Sequence, residues 1–240
     1  MNEVEGRVFL TGDTHGRFER IVDFCEQNQL SNVDILIILG DVGLNYYGVQ
    51  RDNYRKDMLA GLPCTFFCLH GNHEMRPAGV SGYHKEQFRG GQVWVQDQYP
   101  NIVFPIDGEI FHLAGRDCIV IGGAYSVDKY YRLARGWNWW PDEQPSQEVK
   151  NTVERVLAVR EWKIDIVLSH TCPARYEPIE VFLAAIDQSS VDKSTEEWLG
   201  HIESQLHYSG WFCGHYHTDK TIDRIRFMFE DFVELEACYK

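Results

Sequence analysis

The chain has no CxxC pair, no apolar run longer than a strand and no excess of basic residues. Lys and Arg number 23 against 36 Asp and Glu, a formal charge of −13. Nucleic-acid binding needs clustered Lys and Arg against phosphates, so that class is set aside. A locally positive, metal-loaded pocket still fits an acidic chain, because bound cations are often the largest local charges. With no apolar stretch approaching about 18 residues, no membrane-spanning helix is expected. Residues 1–5, Met-Asn-Glu-Val-Glu, are acidic and lack the apolar core of a secretory signal. The seven cysteines are Cys25, Cys64, Cys68, Cys118, Cys172, Cys213 and Cys238. Their odd number and their places in apolar runs point to buried free thiols, not a disulfide framework. A cytoplasmic protein is expected. There is no repeat, low-complexity tract or linker, so residues 1–240 are expected to form one domain.

What the chain does have is a recurring pattern. Val8-Phe9-Leu10 leads to Gly12-Asp13-Thr14-His15, and Ile35 to Leu39 leads to Gly40-Asp41. Thr65 to Leu69 leads to Gly71-Asn72-His73-Glu74, Ile164 to Leu168 to Ser169-His170, and Trp211-Phe212-Cys213 to Gly214-His215-Tyr216-His217. The apolar runs do not alternate, which predicts strands buried on both faces. Polar residues just past such strands lie where open α/β sheets place their ligands.

Helices are predicted between the strands. Phe18, Ile21, Val22 and Cys25 have one-face helical spacing, and so do Val149, Val153, Val156 and Leu157 after an N-cap at Ser146. Ser194 and Glu197 read as a capping box ahead of Trp198, Ile202 and Leu206. Asp107-Gly108 reads as a hairpin turn between Ile102–Ile106 and Glu109–Leu113. The tail from Thr221 to Ala237 reads as closing strands. The stretch 124–145 shows no helical or strand period and is expected to be a long functional loop. Within it Trp137, Trp139 and Trp140 read as anchors ahead of a platform for stacking a substrate base, and Asp142 with Glu143 as a solvated acidic stretch.

Asp13, His15, Asp41, Asn72, His170, His215 and His217 are ligand types for divalent transition metals. Seven are too many for one ion and suit two that share a carboxylate. Mixed N/O ligation favours Mn, Fe, Zn or Ni, with Mn the first choice for activity. Two such ions can activate a water and neutralise phosphoryl oxygens. His84, His112, His201 and His207 lie outside these motifs and read as packing or surface residues.

In this order, D-x-H, G-D, G-N-H-E, S-H and G-H-x-H, the motifs resemble those of the calcineurin-like metallophosphoesterase superfamily. The resemblance runs from Asp13 to His217. It implies an α/β fold, a four-layer αββα sandwich of two mixed β-sheets flanked by helices. It implies Asp13, His15, Asp41 and His217 on one metal, and Asp41, Asn72, His170 and His215 on the other. It implies a hydrolase of phosphate esters in which a metal-activated hydroxide attacks phosphorus and His73 acts as general acid.

The chain departs from the protein Ser/Thr phosphatase branch, whose second motif is G-D-x-x-D-R-G and third R-G-N-H-E. Here the second reads Gly40-Asp41-Val42-Gly43-Leu44-Asn45, and His70 stands where the third motif has Arg. Arg132, Arg135 and Arg76, with His70, are the candidate substrate contacts, and Asp128 or Asp52 the candidate partner of His73. A small phosphoester or nucleotide is therefore expected as substrate, ahead of a phosphoprotein. A non-catalytic interaction scaffold of the same fold is the remaining alternative. No nucleic-acid or membrane partner is indicated.

Overall fold

The computed structural model describes residues 6–48 and 50–239. The acidic residues 1–5 lie outside the described residues. Seven strands form the first sheet: β1 (Val8–Thr11), β2 (Ile35–Ile38), β3 (Thr65–Cys68), β4 (Tyr83–Phe88), β5 (Gly91–Gln96), β6 (Tyr99–Pro105) and β13 (Val233–Glu234). The second sheet has six: β7 (Ile110–Leu113), β8 (Arg116–Ile121), β9 (Ile166–Ser169), β10 (Gly210–Cys213), β11 (Lys220–Ile222) and β12 (Ile225–Phe227).

The first sheet runs β13-β1-β2-β3-β6-β5-β4, with β1, β2, β3 and β6 parallel and both edges antiparallel. The second runs β11-β12-β10-β9-β8-β7, with β12, β10, β9 and β8 parallel. All five motif-bearing runs are strands, in the parallel centres of the two sheets. Every residue of β1, β2, β9 and β10 is buried, as strands covered on both faces require.

Side chains alternate across each strand, and the alternate sets fill different layers. Leu10, Ile37 and Phe67 meet Val120, Leu168 and Phe212 between the sheets. Phe9, Leu36, Ile38 and Phe66 face outward onto Phe18, Ile21 and Cys25, near or on α1 (Glu19–Gln27), and Leu59 of α2 (Asn53–Ala60). Ile119, Val167 and Trp211 face outward onto Val153 and Leu157 of α4 (Gln147–Val159), and Leu199 and Ile202 of α5 (Ser194–Glu203). The fold is thus two mixed β-sheets flanked by helices, an αββα sandwich. Among the described residues no helix is long and apolar enough to cross a membrane. Six cysteines are buried free thiols, and Cys238 is half-buried.

Four local expectations are corrected. Asp107-Gly108 does not close a hairpin: β6 and β7 pair in different sheets, and the turn carries the chain between them. Its Asp107 side chain is committed to Arg76 and the Gly122 N–H. Ser194 does not cap α5, because it lies inside the helix and the Asp192 carboxylate accepts from its N–H at 3.0 Å. Segment 124–145 contains a short helix, α3 (Lys129–Arg135), with no buried residue and hence no apolar stripe to read. Glu143 is not solvated; it is buried and accepts from Trp139 Nε1 at 2.7 Å.

Candidate metal centre

The five strand ends converge at one place. Asp13 and His15 follow β1, Asp41 follows β2, and Asn72 and His73 follow β3. His170 follows β9, and His215 and His217 follow β10. Backbone hydrogen bonds fasten the loops together. His15 N donates to Asp41 O at 2.7 Å and Gly16 N to Val42 O at 2.8 Å. Glu74, fully buried, accepts from Gly71 N and Gly43 N at 3.1 and 3.0 Å and so ties the loop after β2 to the loop after β3.

Close approach demands glycine in these loops, Gly71 and Gly40 among them. A Cβ on Gly71 would overlap Asp41, and one on Gly40, whose φ is +99°, would overlap the His170 ring. Four candidate ligands are themselves non-glycine residues with positive φ: His15 (49°), Asp41 (48°), His215 (69°) and His217 (49°). Such backbone costs about 1–3 kcal/mol per residue and collects at functional sites. Here it aims side chains from short loops at a shared point.

Two groups of ligand atoms lie within 4.8 Å of one another: Asp13 with His15 and His217, and Asp13 with Asp41 and His170. In the first, His15 Nε2 and His217 Nε2 are 2.9 Å apart, and His217 Nε2 is 3.3 Å from Asp13 Oδ2. Asp13 Oδ2 is buried with no hydrogen-bond partner among the described residues. Its sister oxygen Oδ1 accepts from His215 N at 2.9 Å. In the second region His170 Nε2 and His215 Nδ1 lie 2.9 and 3.0 Å from Asn72 Oδ1. The Asn72 amide donates to Ser126 Oγ at 2.9 Å, which turns Oδ1 inward. His170 Nδ1 is 2.7 Å from Leu39 O, an acceptor only, so that nitrogen carries a proton, and in its singly protonated form the ring turns the Nε2 lone pair toward Asn72 Oδ1. The Nε2 lone pair of His170 facing Asn72 Oδ1, beside the orphaned carboxylate oxygen of Asp13, fits a cation between them.

Asp41 faces both regions. Its Oδ1 is 3.7 Å from His170 Nε2 and its Oδ2 is 3.8 Å from His15 Nδ1. Burial pushes both Asp13 and Asp41 toward the protonated form, but the surrounding histidines outweigh it and hold both below the usual carboxylate range. Burial, with His170 beside it, pulls His215 down to about 3, so it stays a neutral donor. His217 is shifted up by its contact with Asp13.

His73 stands at the edge of this cluster. Its N–H donates to Asp41 Oδ1 at 2.8 Å, and its Nε2 is 4.0 Å from both Asp41 Oδ2 and Asp128 Oδ1. Burial lowers its pKa, and Asp41 opposes that. Of the sequence candidates, Asp128 is brought near and Asp52 is not. Asp52 is buried, accepting from Tyr47 N and Gly48 N. Of the three candidate arginines only Arg132 reaches the site, 3.5 Å from His73 Nε2 with its Nε 2.8 Å from Asp128. Arg76 is committed to Asp107 at 2.6 Å and to Asp142 O, and Arg135 lies over the Tyr131 ring at 5.1 Å. His70 is buried with both ring nitrogens unpartnered among the described residues, and it lines neither cavity at the site. Burial holds it well below its ordinary pKa.

The sequence reading missed three groups here. Ser126 and Leu39 O are visible only through tertiary contacts. The apolar wall of residues 181–191 did leave a trace, an aperiodic cluster of Val181, Phe182, Leu183 and Ile186 after Pro178. Trp139 and Trp140 do anchor their segment, through Glu143 and an edge-on contact with Tyr46, while Trp137 is 51% exposed.

No curated protein matches the chain significantly in sequence. Among solved structures, TT1561 of Thermus thermophilus is 12% identical with a TM-score of 0.53, over 97% of this chain and 96% of that one. The phosphopantetheinyl hydrolase PptH of Mycobacterium tuberculosis is 16% identical with a TM-score of 0.48, over 94% and 88%. The first likeness is one of fold. The model of the calcineurin-like phosphoesterases matches residues 6–219, which include every candidate ligand. The chain belongs to the calcineurin-like phosphoesterase family.

Proposed function

We propose that this protein hydrolyses small phosphate esters with two divalent transition-metal ions, manganese first among them. In this reading Asp13, His15, Asp41 and His217 hold one ion, and Asp41, Asn72, His170 and His215 the other. The observation that carries it is the convergence of lone-pair atoms around Asp41, whose two oxygens face the two groups. Such ions supply an activated water and charge neutralisation on the phosphoryl oxygens.

The protein's own groups do the rest. His170 is locked in its ligand tautomer by Leu39 O, and Asn72 is oriented by Ser126. His73 Nε2 is the atom that hands a proton to the leaving oxygen. Asp128 and Asp41 favour the proton there, against burial and Arg132. Arg132, steered by Asp128, is the one arginine of the three placed to meet a phosphoryl oxygen. A phosphoprotein substrate is disfavoured because Arg76 and Arg135 are directed elsewhere. The whole chain acts as one domain, and its free thiols suit the cytoplasm.

The test is manganese-dependent hydrolysis of p-nitrophenyl phosphate and bis-p-nitrophenyl phosphate, with Asn72→Ala as control. Turnover should need metal and fall in the variant. No turnover of either ester by protein holding two ions would count against the reading.

A further inference from the structure

Two cavities meet at the candidate centre, and their chemistry differs. One, of about 370 Å³, opens from Asn72, His215 and His217 toward the segment joining β9 to α5. Its wall there is Val181, Phe182, Leu183, Ile186 and Val191. The other, of about 490 Å³, is lined by Tyr46, Tyr47, Arg55, Arg132 and Trp137 among others. His73 lines both.

Among the described residues no Lys or Arg lines the first cavity. Three carboxyl groups besides Asp41 do, and each is engaged. Glu177 pairs with Lys193 at 2.7 Å, Asp128 with Arg132 at 2.8 Å, and Glu196 accepts from Thr171 Oγ1 at 2.7 Å. An anionic group entering this cavity beyond the metal centre meets acids whose cations, Arg132 and Lys193, are already paired, the latter 5.2 Å from the centre of the Phe182 ring. A cationic group finds those acids already partnered. What the wall offers is hydrocarbon, and Val181 and Leu183 leave 38% and 62% of their surface uncovered.

The wall is tied to the metal-centre loop. Phe182 lies nearly parallel to Tyr216, at 13° and 6.2 Å between centroids, and Tyr216 sits between His215 and His217 in the chain. The Tyr216 hydroxyl is 3.1 Å from Thr171 Oγ1, next to His170. A hydrocarbon group in this pocket therefore has a fixed position relative to phosphorus.

We propose that the substrate is a phosphodiester with one uncharged hydrocarbon arm in the Val181–Val191 pocket and a polar or aromatic arm in the Arg55–Arg132 groove. The proposal rests on the hydrolytic reading above. A monoester would fill one cavity and leave the other idle. In the reaction the oxygen of water forms a new bond to phosphorus and one ester P–O bond breaks. One water proton ends on the departing oxygen as an alcohol, the other belongs to the phosphomonoester, and nothing is oxidised or reduced.

The experiment uses methyl, butyl and hexyl p-nitrophenyl phosphates with manganese-loaded protein, a 2-aminoethyl ester for comparison, and calorimetric binding of methyl- and hexylphosphonate. Burial of each methylene predicts kcat/KM rising about three- to four-fold per added CH₂. The aminoethyl ester should do no better than methyl, and hexylphosphonate, with five more methylenes, should bind about a hundred-fold or more tighter than methylphosphonate. Leu183→Asp and Val181→Asp, at positions exposed enough to leave folding intact, should bring the hexyl-to-methyl ratio toward one. Equal rates and equal phosphonate affinities would overturn the hydrocarbon arm while hydrolysis stood. A faster aminoethyl ester would also overturn it. A monoester turned over faster than every diester would overturn the diester. No turnover of any ester would defeat the hydrolytic reading, and the phosphonate affinities would still decide the pocket.

Discussion

Glu196 lies on α5 in the cavity wall, 4% exposed, with Thr171 Oγ1 donating to its carboxyl group. Burial is the main cause that pushes its pKa from 4.5 up to about 7; the Thr171 hydrogen bond works against that and nearby Glu177 adds to it. In the unfolded chain the acid ionises near 4.5, so folding above pH 7 buries a charge that folding below pH 4.5 does not. The raised value makes this contribution most favourable below pH 4.5 and removes it as pH rises through about 7. The gap, at about 1.4 kcal/mol per ten-fold in proton affinity, amounts to about 3 kcal/mol. Glu196→Gln keeps the shape and an acceptor oxygen for Thr171, and it never ionises. Urea unfolding of both chelator-treated proteins from about pH 5 to pH 8.5 isolates the effect, since every other titrating group is common to both. The variant should match the parent within about 1 kcal/mol at the acid end and exceed it by about 3 kcal/mol at the alkaline end. A difference independent of pH would refute the claim that this wall holds a neutral acid.

His73→Ala should cut kcat by about 10²–10⁴ with both ions retained, measured by turnover beside elemental analysis; loss of an ion would make His73 a ligand instead. Arg132→Ala should lower kcat/KM by more than about ten-fold at unchanged metal content, whereas Arg135→Ala should leave it alone; equal effects would contradict the geometry. Arg76→Ala strands the buried Asp107 carboxylate and should cost about 2–4 kcal/mol in urea unfolding without altering KM; a change below about 0.5 kcal/mol would refute that role.

The convergence of the candidate ligands was legible because each follows a strand that is apolar on both faces, such as Ile35–Ile38 ahead of Asp41. Short-range order survives tertiary context there, since no other packing would bury such runs. What failed was local chemistry that tertiary contacts overrode. Asp107-Gly108 has turn residues, yet the chain changes sheets at that point and Arg76 claims the carboxylate. Glu143 looks like a surface acid, but Trp139 folds over it. The helix Lys129–Arg135 buries nothing, so it leaves no periodic trace, and its value is to deliver Arg132 to His73. Which arginine would serve the site was likewise invisible, because the choice depends on the competing partners Asp107 and Tyr131.

In the proposed function seven side chains hold two ions side by side. Manganese titration followed by electron paramagnetic resonance tests it most directly. Two manganese ions about 3.5–4 Å apart would be exchange-coupled, so a multiline coupled spectrum that saturates at two ions per chain is expected. Saturation at one ion with the spectrum of an isolated centre would contradict it.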